Sequence, residues 1–167
     1  VTVWDTRTGK ELFAPHVPGI PATAAFSADG RLFSVGTQDG KLVFFDSRSG
    51  GQVGSPLQVS GSIVGQVSFS PDGGLFAVSA YDQTVSLWDL RTRKRLTNFP
   101  LVLGYVPWPL FTPKGDLLIS YSGYGYLWPT SVSTWERNAC QVAGRDLTSA
   151  EWHDLLPTRP YLDVCPQ

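Results

Sequence analysis

Methionine is absent from this sequence, cysteine and histidine each occur twice, and charged residues make up only 16%. Each shortage excludes something. No apolar run reaches the roughly 18–20 residues that span a bilayer, and no basic start followed by an apolar block marks a secretory leader. Formal net charge is -1 with a pI near 6.1, so the clustered Lys and Arg of a nucleic-acid footprint are lacking. The one basic run, Arg91-Thr92-Arg93-Lys94-Arg95, falls where a turn is expected and reads as a solvated turn. Two cysteines and two distant histidines supply no metal-ligand spacing. There is no G-x-x-x-x-G-K-[ST] phosphate loop, no G-x-S-x-G elbow and no H-E-x-x-H pair. The expectation is no enzyme, no cofactor and no metal. The chain opens on Val1-Thr2-Val3-Trp4-Asp5 without a methionine, which reads as an excerpt from a longer polypeptide.

What the sequence does contain is a folded composition, 42% hydrophobic, and a repeat. Phe26-Ser27-Ala28-Asp29-Gly30 returns as Phe69-Ser70-Pro71-Asp72-Gly73, 43 residues later, and as Phe111-Thr112-Pro113-Lys114-Gly115, 42 residues after that. A second series, Trp4-Asp5, Phe45-Asp46, Trp88-Asp89 and Trp128-Pro129, has spacings of 41, 43 and 40. Two independent markers share one period. Within each copy, β-branched and aromatic runs such as Thr84-Val85-Ser86-Leu87-Trp88 alternate with Asp-Gly turns, the pattern of short strands. No segment before residue 130 has helical periodicity. The expected fold class is all-β with a short helical tail.

A period of about 40–45 residues with four short strands and a Trp-Asp ending resembles the WD-repeat β-propeller family. The likeness is strongest in FSPDGGLFAVSAYDQTVSLWD, residues 69–89. It implies a propeller fragment of about three blades, each a four-stranded antiparallel sheet. Residues 1–13 read as a partial blade, 22–58 and 63–99 as whole blades, and 105–128 as a last blade lacking its outer strand. Family rings commonly borrow that strand from the opposite terminus, so this part reads as the end of a propeller. Its open sides would expose apolar blade faces, giving marginal stability or association in isolation. Phe45 replaces the repeat tryptophan, Pro129 the last aspartate, and Ser122 the turn aspartate. The family's buried Asp-His-Ser-Trp network is therefore incomplete, and apolar packing is expected to carry more of the load.

The tail has a different texture. Residues 133–144 fit a short helix with Trp135, Ala139 and Val142 on one face and Gly144 at the stop. Thr148-Ser149-Ala150-Glu151 is a capping box opening a second helix that carries Trp152, Leu155 and Leu156 and ends at Pro157. Residues 130–167 would form a C-terminal cap. ACQVAGRDLTSAEWHDLLPTRPYLDVCP resembles the cap that follows the last blade in many bacterial WD-repeat proteins. Their upstream part often carries a STAND-type signalling NTPase; none is present here. Cys140 and Cys165 either form a disulfide pinning the extended end to the first helix, worth on the order of 3 kcal/mol, or remain two buried thiols. The sequence leaves localisation open between the cytoplasm and, if the disulfide exists, the outer side of a membrane-anchored parent.

The tail cluster Asp146, Glu151, His153 and Asp154 is accounted for by capping and by an exposed helix face, so binding remains as the function. On the rim formed by inter-blade loops and by turns between second and third strands lie His16, Tyr81, Tyr105, Trp108, Ser122 and Tyr124. Exposed loop aromatics are typical anchors for a protein or peptide, although Tyr105 and Trp108 flank prolines and fit equally well between blades. The expected function is a non-catalytic protein-interaction or sensor module, the C-terminal part of a larger bacterial signalling protein. Its partners would be a protein or peptide and the remaining blades of the parent, without nucleic-acid contact or membrane insertion. The alternatives are small-molecule or glycan sensing in the channel, and a purely structural cap that completes the ring.

Overall fold

Six-residue runs rich in β-branched and aromatic side chains favour strands, and serine–aspartate–glycine turns reverse the chain between them. The computed structural model describes residues 1–100, 106–121, 123–155, 160, 161 and 165. Thirteen strands and two helices follow in order: β1 (Val3–Trp4), β2 (Glu11–Phe13), β3 (Pro21–Phe26), β4 (Leu32–Thr37), β5 (Lys41–Asp46), β6 (Leu57–Gln58), β7 (Val64–Phe69), β8 (Leu75–Ala80), β9 (Thr84–Asp89), β10 (Arg95–Pro100), β11 (Trp108–Phe111), β12 (Leu117–Tyr121), β13 (Tyr124–Trp128), α1 (Val132–Ala143) and α2 (Ser149–Leu155). The strands form antiparallel sheets β1-β2, β3-β4-β5-β6, β7-β8-β9-β10 and β11-β12-β13, here numbered one to four. The chain divides into two compact units, Val1–Trp128 and Pro129–Gln167.

The repeated Phe-Ser-x-Asp-Gly phrase has a local cause. In its first copy the Ser27 hydroxyl donates to Asp29 Oδ1 at 2.7 Å and accepts from the Leu32 amide at 3.0 Å, while the Arg31 amide donates to the same carboxylate. Gly30 takes φ 66°, a conformation that costs a residue bearing a Cβ. Ser70 and Asp72 repeat the arrangement, and Thr112 performs the serine's part by accepting from the Asp116 amide. The second series has its own turn. Asp5 accepts from the amides of Arg7 and Thr8, Asp46 from those of Arg48 and Ser49, and Asp89 from that of Thr92. These carboxylates terminate third strands and start fourth strands.

The sheets stack through their faces. Between sheets two and three, Leu42 and Phe44 meet Val67, Phe69, Phe76, Val78 and Trp88. Phe44 lies edge-on to Phe76 at 5.5 Å, and Phe76 stacks on Trp88 at 5.9 Å. Between sheets three and four, Ala77, Val85 and Leu87 meet Phe111, Leu117 and Ile119. Sheet one places Val3 and Phe13 against Phe33, Val35, Val43 and Phe45. Burying one such aromatic contributes about 1.5–3 kcal/mol. Phe45, where the repeat elsewhere has tryptophan, is 1% exposed and stacks on Phe33 at 5.0 Å. Part of the polar network is present. The buried Trp88 Nε1 donates to Ser86 Oγ at 2.8 Å.

In the second unit, Ser131 caps α1 by accepting from the Thr134 amide, and Gly144 closes it in the left-handed region. Val142 is 91% exposed, so it does not lie on a packed face as its spacing suggests. The side chains of Trp135 and Ala139 lie outside the described ones. The capping box is reciprocal: the Thr148 amide donates to Glu151 Oε2 at 2.8 Å and the Glu151 amide to Thr148 Oγ1 at 3.3 Å. Arg145 adds a two-pronged bond to Glu151, both at 2.8 Å. This guanidinium and the Thr148 donors hold the Glu151 carboxyl well below its ordinary range. Cys140 and Cys165 are joined in a disulfide with Cα atoms 5.4 Å apart.

Candidate functional site

Antiparallel alternation sends every connection between sheets, and every turn between second and third strands, to one rim. The β4–β5 turn presents Asp39 and the β8–β9 turn presents Tyr81 and Asp82. The β12–β13 turn delivers Tyr124 as the first residue of β13. Tyr81 is 58% exposed and Tyr124 69%; His16, in the β2–β3 connection, is also exposed. Among the described residues, none of these three side chains has a hydrogen-bond or ring partner. Tyr105 and Ser122 lie outside the described residues.

Trp108 occupies a different place. In β11 burial alternates, with Trp108 and Leu110 exposed and Pro109 and Phe111 buried against sheet three. Trp108 therefore sits at the rim end of the far face of sheet four, opposite Ser120. The structure groups Tyr81 and Tyr124 at equivalent turns and sets Trp108 apart on a sheet face.

The backbone next to Tyr81 is held by polar bonds that cross between sheets. Ser60, in the β6–β7 connection, donates to Asp82 Oδ2 at 2.7 Å, and Thr84 donates to Asp82 Oδ1 at the same distance. Partial burial pushes the Asp82 carboxyl upward, but the Thr84 and Ser60 donors outweigh it and the group ends below its ordinary value. Asp39 is lowered by Lys41 and Thr37. Gln58 Nε2 donates to the carbonyls of Asp39 and Ser60. On the opposite rim, backbone amides of Thr8, Ser49 and Thr92 lower Asp5, Asp46 and Asp89, and the hydroxyls of Ser27 and Ser70 lower Asp29 and Asp72. An efficient proton-transfer group has a pKa near the working pH. These carboxylates are displaced the other way, as turn-forming groups.

A residue expected in a solvated turn has a larger part. Arg93, in the β9–β10 turn, reaches back to sheet two, donating to the Val53 carbonyl at 2.6 Å and lying 4.8 Å over the Phe44 ring. No local signal in the basic run separates it from its neighbours. In the second unit, a depression beside the disulfide is lined by Arg137, Gln141 and Arg145, the last already engaged with Glu151.

Residues 54–89 match the family WD domain, G-beta repeat. The matched stretch begins in the connection leading into β6 and runs through sheet three to Asp89. Among solved structures, the β-propeller domain of Cps50 (Swd1) from Myceliophteria thermophila superposes with a TM-score of 0.58 at 17% identity, covering 71% of this chain and 42% of that one. The fold is that of a β-propeller segment, one stretch of which matches the WD repeat. Sheets two and three are four-stranded blades, and the chain spans less than half the length of the propeller it matches. No curated protein matches.

Proposed function

We propose that this propeller segment is a non-catalytic recognition module whose rim of inter-blade loops and second-to-third-strand turns binds a protein or peptide. The observation that carries the reading is the pair Tyr81 and Tyr124, exposed at equivalent turns of their blades, with the backbone around Tyr81 braced by Ser60, Asp82 and Thr84. Rigidly mounted aromatic side chains bring large contact area at low entropic cost. His16 extends the same surface, and Trp108 stands apart from it on a sheet face. Tyr105 and Ser122 belong to it by sequence position.

The tail's resemblance supports a place at the C-terminal end of a larger bacterial WD-repeat signalling protein, with further blades of the parent completing the ring and an NTPase upstream. The Cys140–Cys165 bond supports an oxidising compartment for this segment.

The test is affinity capture of a partner followed by titration of that partner against variants. Tyr81→Ala with Tyr124→Ala should weaken binding about tenfold or more, whereas Arg7→Ser with Arg48→Ser, on the opposite rim, should leave it unchanged. Equal loss from both pairs, or no loss from the tyrosine pair, refutes the rim assignment.

A further inference from the structure

Topology sorts the charges of the first unit in a way that their order along the chain does not. Turns between first and second strands, and between third and fourth strands, fall on the rim opposite Tyr81 and Tyr124. Of the ten Lys and Arg in residues 1–128, nine stand in or beside those turns, and Lys41 alone lies at the tyrosine end. Nine cations against seven carboxylates leave this rim at +2, while Lys41 against Asp39 and Asp82 leaves the other at -1.

Exposure separates the two signs further than the count does. Asp5, Asp46 and Asp89 are half-buried and accept from amides of their own turns. Asp29 and Asp72 do the same with Ser27, Arg31, Ser70 and Gly74. Three of the cations are also engaged: Arg31 pairs with Asp29, Arg93 is clamped to Val53, and Arg95 lies over Trp88. The other six, Arg7, Lys10, Arg48, Arg91, Lys94 and Lys114, are exposed. Among the described residues, none of these six side chains has a hydrogen-bond, ion-pair or ring partner. Three of them recur in register. Arg7, Arg48 and Arg91 each stand two residues past the aspartate that closes a third strand. The amides of Arg7 and Arg48 donate to that aspartate, which fixes the backbone carrying them. A guanidinium is a planar fork that matches a carboxylate with two parallel bonds.

We infer that this rim binds an extended acidic peptide segment, whose Asp or Glu side chains seat on Arg7, Arg48 and Arg91 with the lysines strengthening the field around them. Two observations select a peptide over other polyanions. Turn carboxylates stand between the arginines. They repel a polymer charged at every ~1.7 Å, as duplex DNA is, but leave room for carboxylates spaced along a peptide. In addition, none of these turns holds an aromatic side chain to stack a base or enter a lipid surface. The surface is separate from the tyrosine rim, so either reading can fail without the other.

Fluorescence anisotropy of a labelled peptide alternating Glu and Ser, roughly ten residues or about 33 Å extended, tests the inference. The chain should bind it with a Kd of about 100 µM or tighter at roughly 0.05 M salt, more weakly as salt rises, and should not bind the same peptide with Gln for Glu. Arg7→Ser with Arg48→Ser and Arg91→Ser should lower affinity about tenfold or more. Lys10→Ser with Lys94→Ser and Lys114→Ser removes the same charge and should lower it by about threefold or less. Tyr81→Ala with Tyr124→Ala should change nothing. Circular dichroism reports folding; if the serine triple at the arginines unfolds, lysine at the same three positions keeps the charge and should still weaken binding about threefold. Failure to bind the glutamate peptide, or losses from the arginine variants no larger than from the lysine set, overturns the inference. So does tighter binding of oligothymidine, which would make the rim a nucleic-acid surface, or of phosphatidylserine vesicles, which would make it a membrane surface.

Discussion

Arg93→Ala should lower the melting temperature of this protein by roughly 4–8 °C, although Arg93 belongs to a charged surface turn. The charged donor's short bond to the Val53 carbonyl contributes about 1.5–3 kcal/mol. Its position over the buried Phe44 ring adds about 0.5–1 kcal/mol. Releasing the side chain returns about 1 kcal/mol of rotamer entropy, leaving a net loss near 2 kcal/mol. For a chain of this size each kcal/mol moves the midpoint by about 2–4 °C. Arg93 also has φ 56°, and a left-handed backbone costs a residue with a Cβ about 1 kcal/mol. Arg93→Gly loses the same clamp but sheds that strain, so it should melt about 2–4 °C above Arg93→Ala. Arg93→Lys keeps the charge and loses the planar stacking group, and should fall between parent and alanine variant. Thermal denaturation followed by circular dichroism reads all three. An alanine variant melting within about 1 °C of the parent, or a glycine variant less stable than alanine, refutes the reasoning.

Gly40→Ala should be far more damaging than Gly30→Ala in the same assay. Both positions have positive φ, but a Cβ at Gly40 would lie 2.1 Å from the Ser60 carbonyl oxygen, whereas one at Gly30 meets nothing within 4 Å; equal costs would refute the packing argument. Trp88→Phe keeps the ring on Phe76 and loses the bond to Ser86, so a loss of about 1 kcal/mol in urea unfolding is expected, and an unchanged midpoint argues against the bond. Asp5, Asp29, Asp39, Asp46, Asp72, Asp82 and Asp89 all have folded-state values below their ordinary one. Their stabilisation is therefore complete above the unfolded value near 3.9 and is lost as pH falls through the lower folded values. Melting temperature should be level from about pH 5 to 7 and drop below about pH 4; a rise on acidification contradicts the sign. Reduction of Cys140–Cys165, which closes a separation of 25 residues, should destabilise the C-terminal unit by about 3 kcal/mol. Mass spectrometry after alkylation should find two modified thiols only with reductant, and modification without it refutes the bond.

The strands, their turns and the helical tail are legible in the sequence because their causes are local. Ser27 and Asp29 satisfy amides within five residues, and Thr148 and Glu151 cap each other three apart. Side-chain alternation within six-residue strands needs no distant information either. Tertiary structure decided what depends on one sheet meeting another. Ser60 and Asp82 are 22 residues apart, and Arg93 and Val53 are 40 apart. Nothing near Arg93 in the chain separates it from Arg91 or Lys94, and nothing near Trp108 tells a rim anchor from a residue on an uncovered sheet face. Alternation by itself cannot say which face has a neighbour. Val142 makes the same point: its helical spacing suits a packed face, yet it is open to solvent, because periodicity marks a stripe and only packing shows whether anything lies against it.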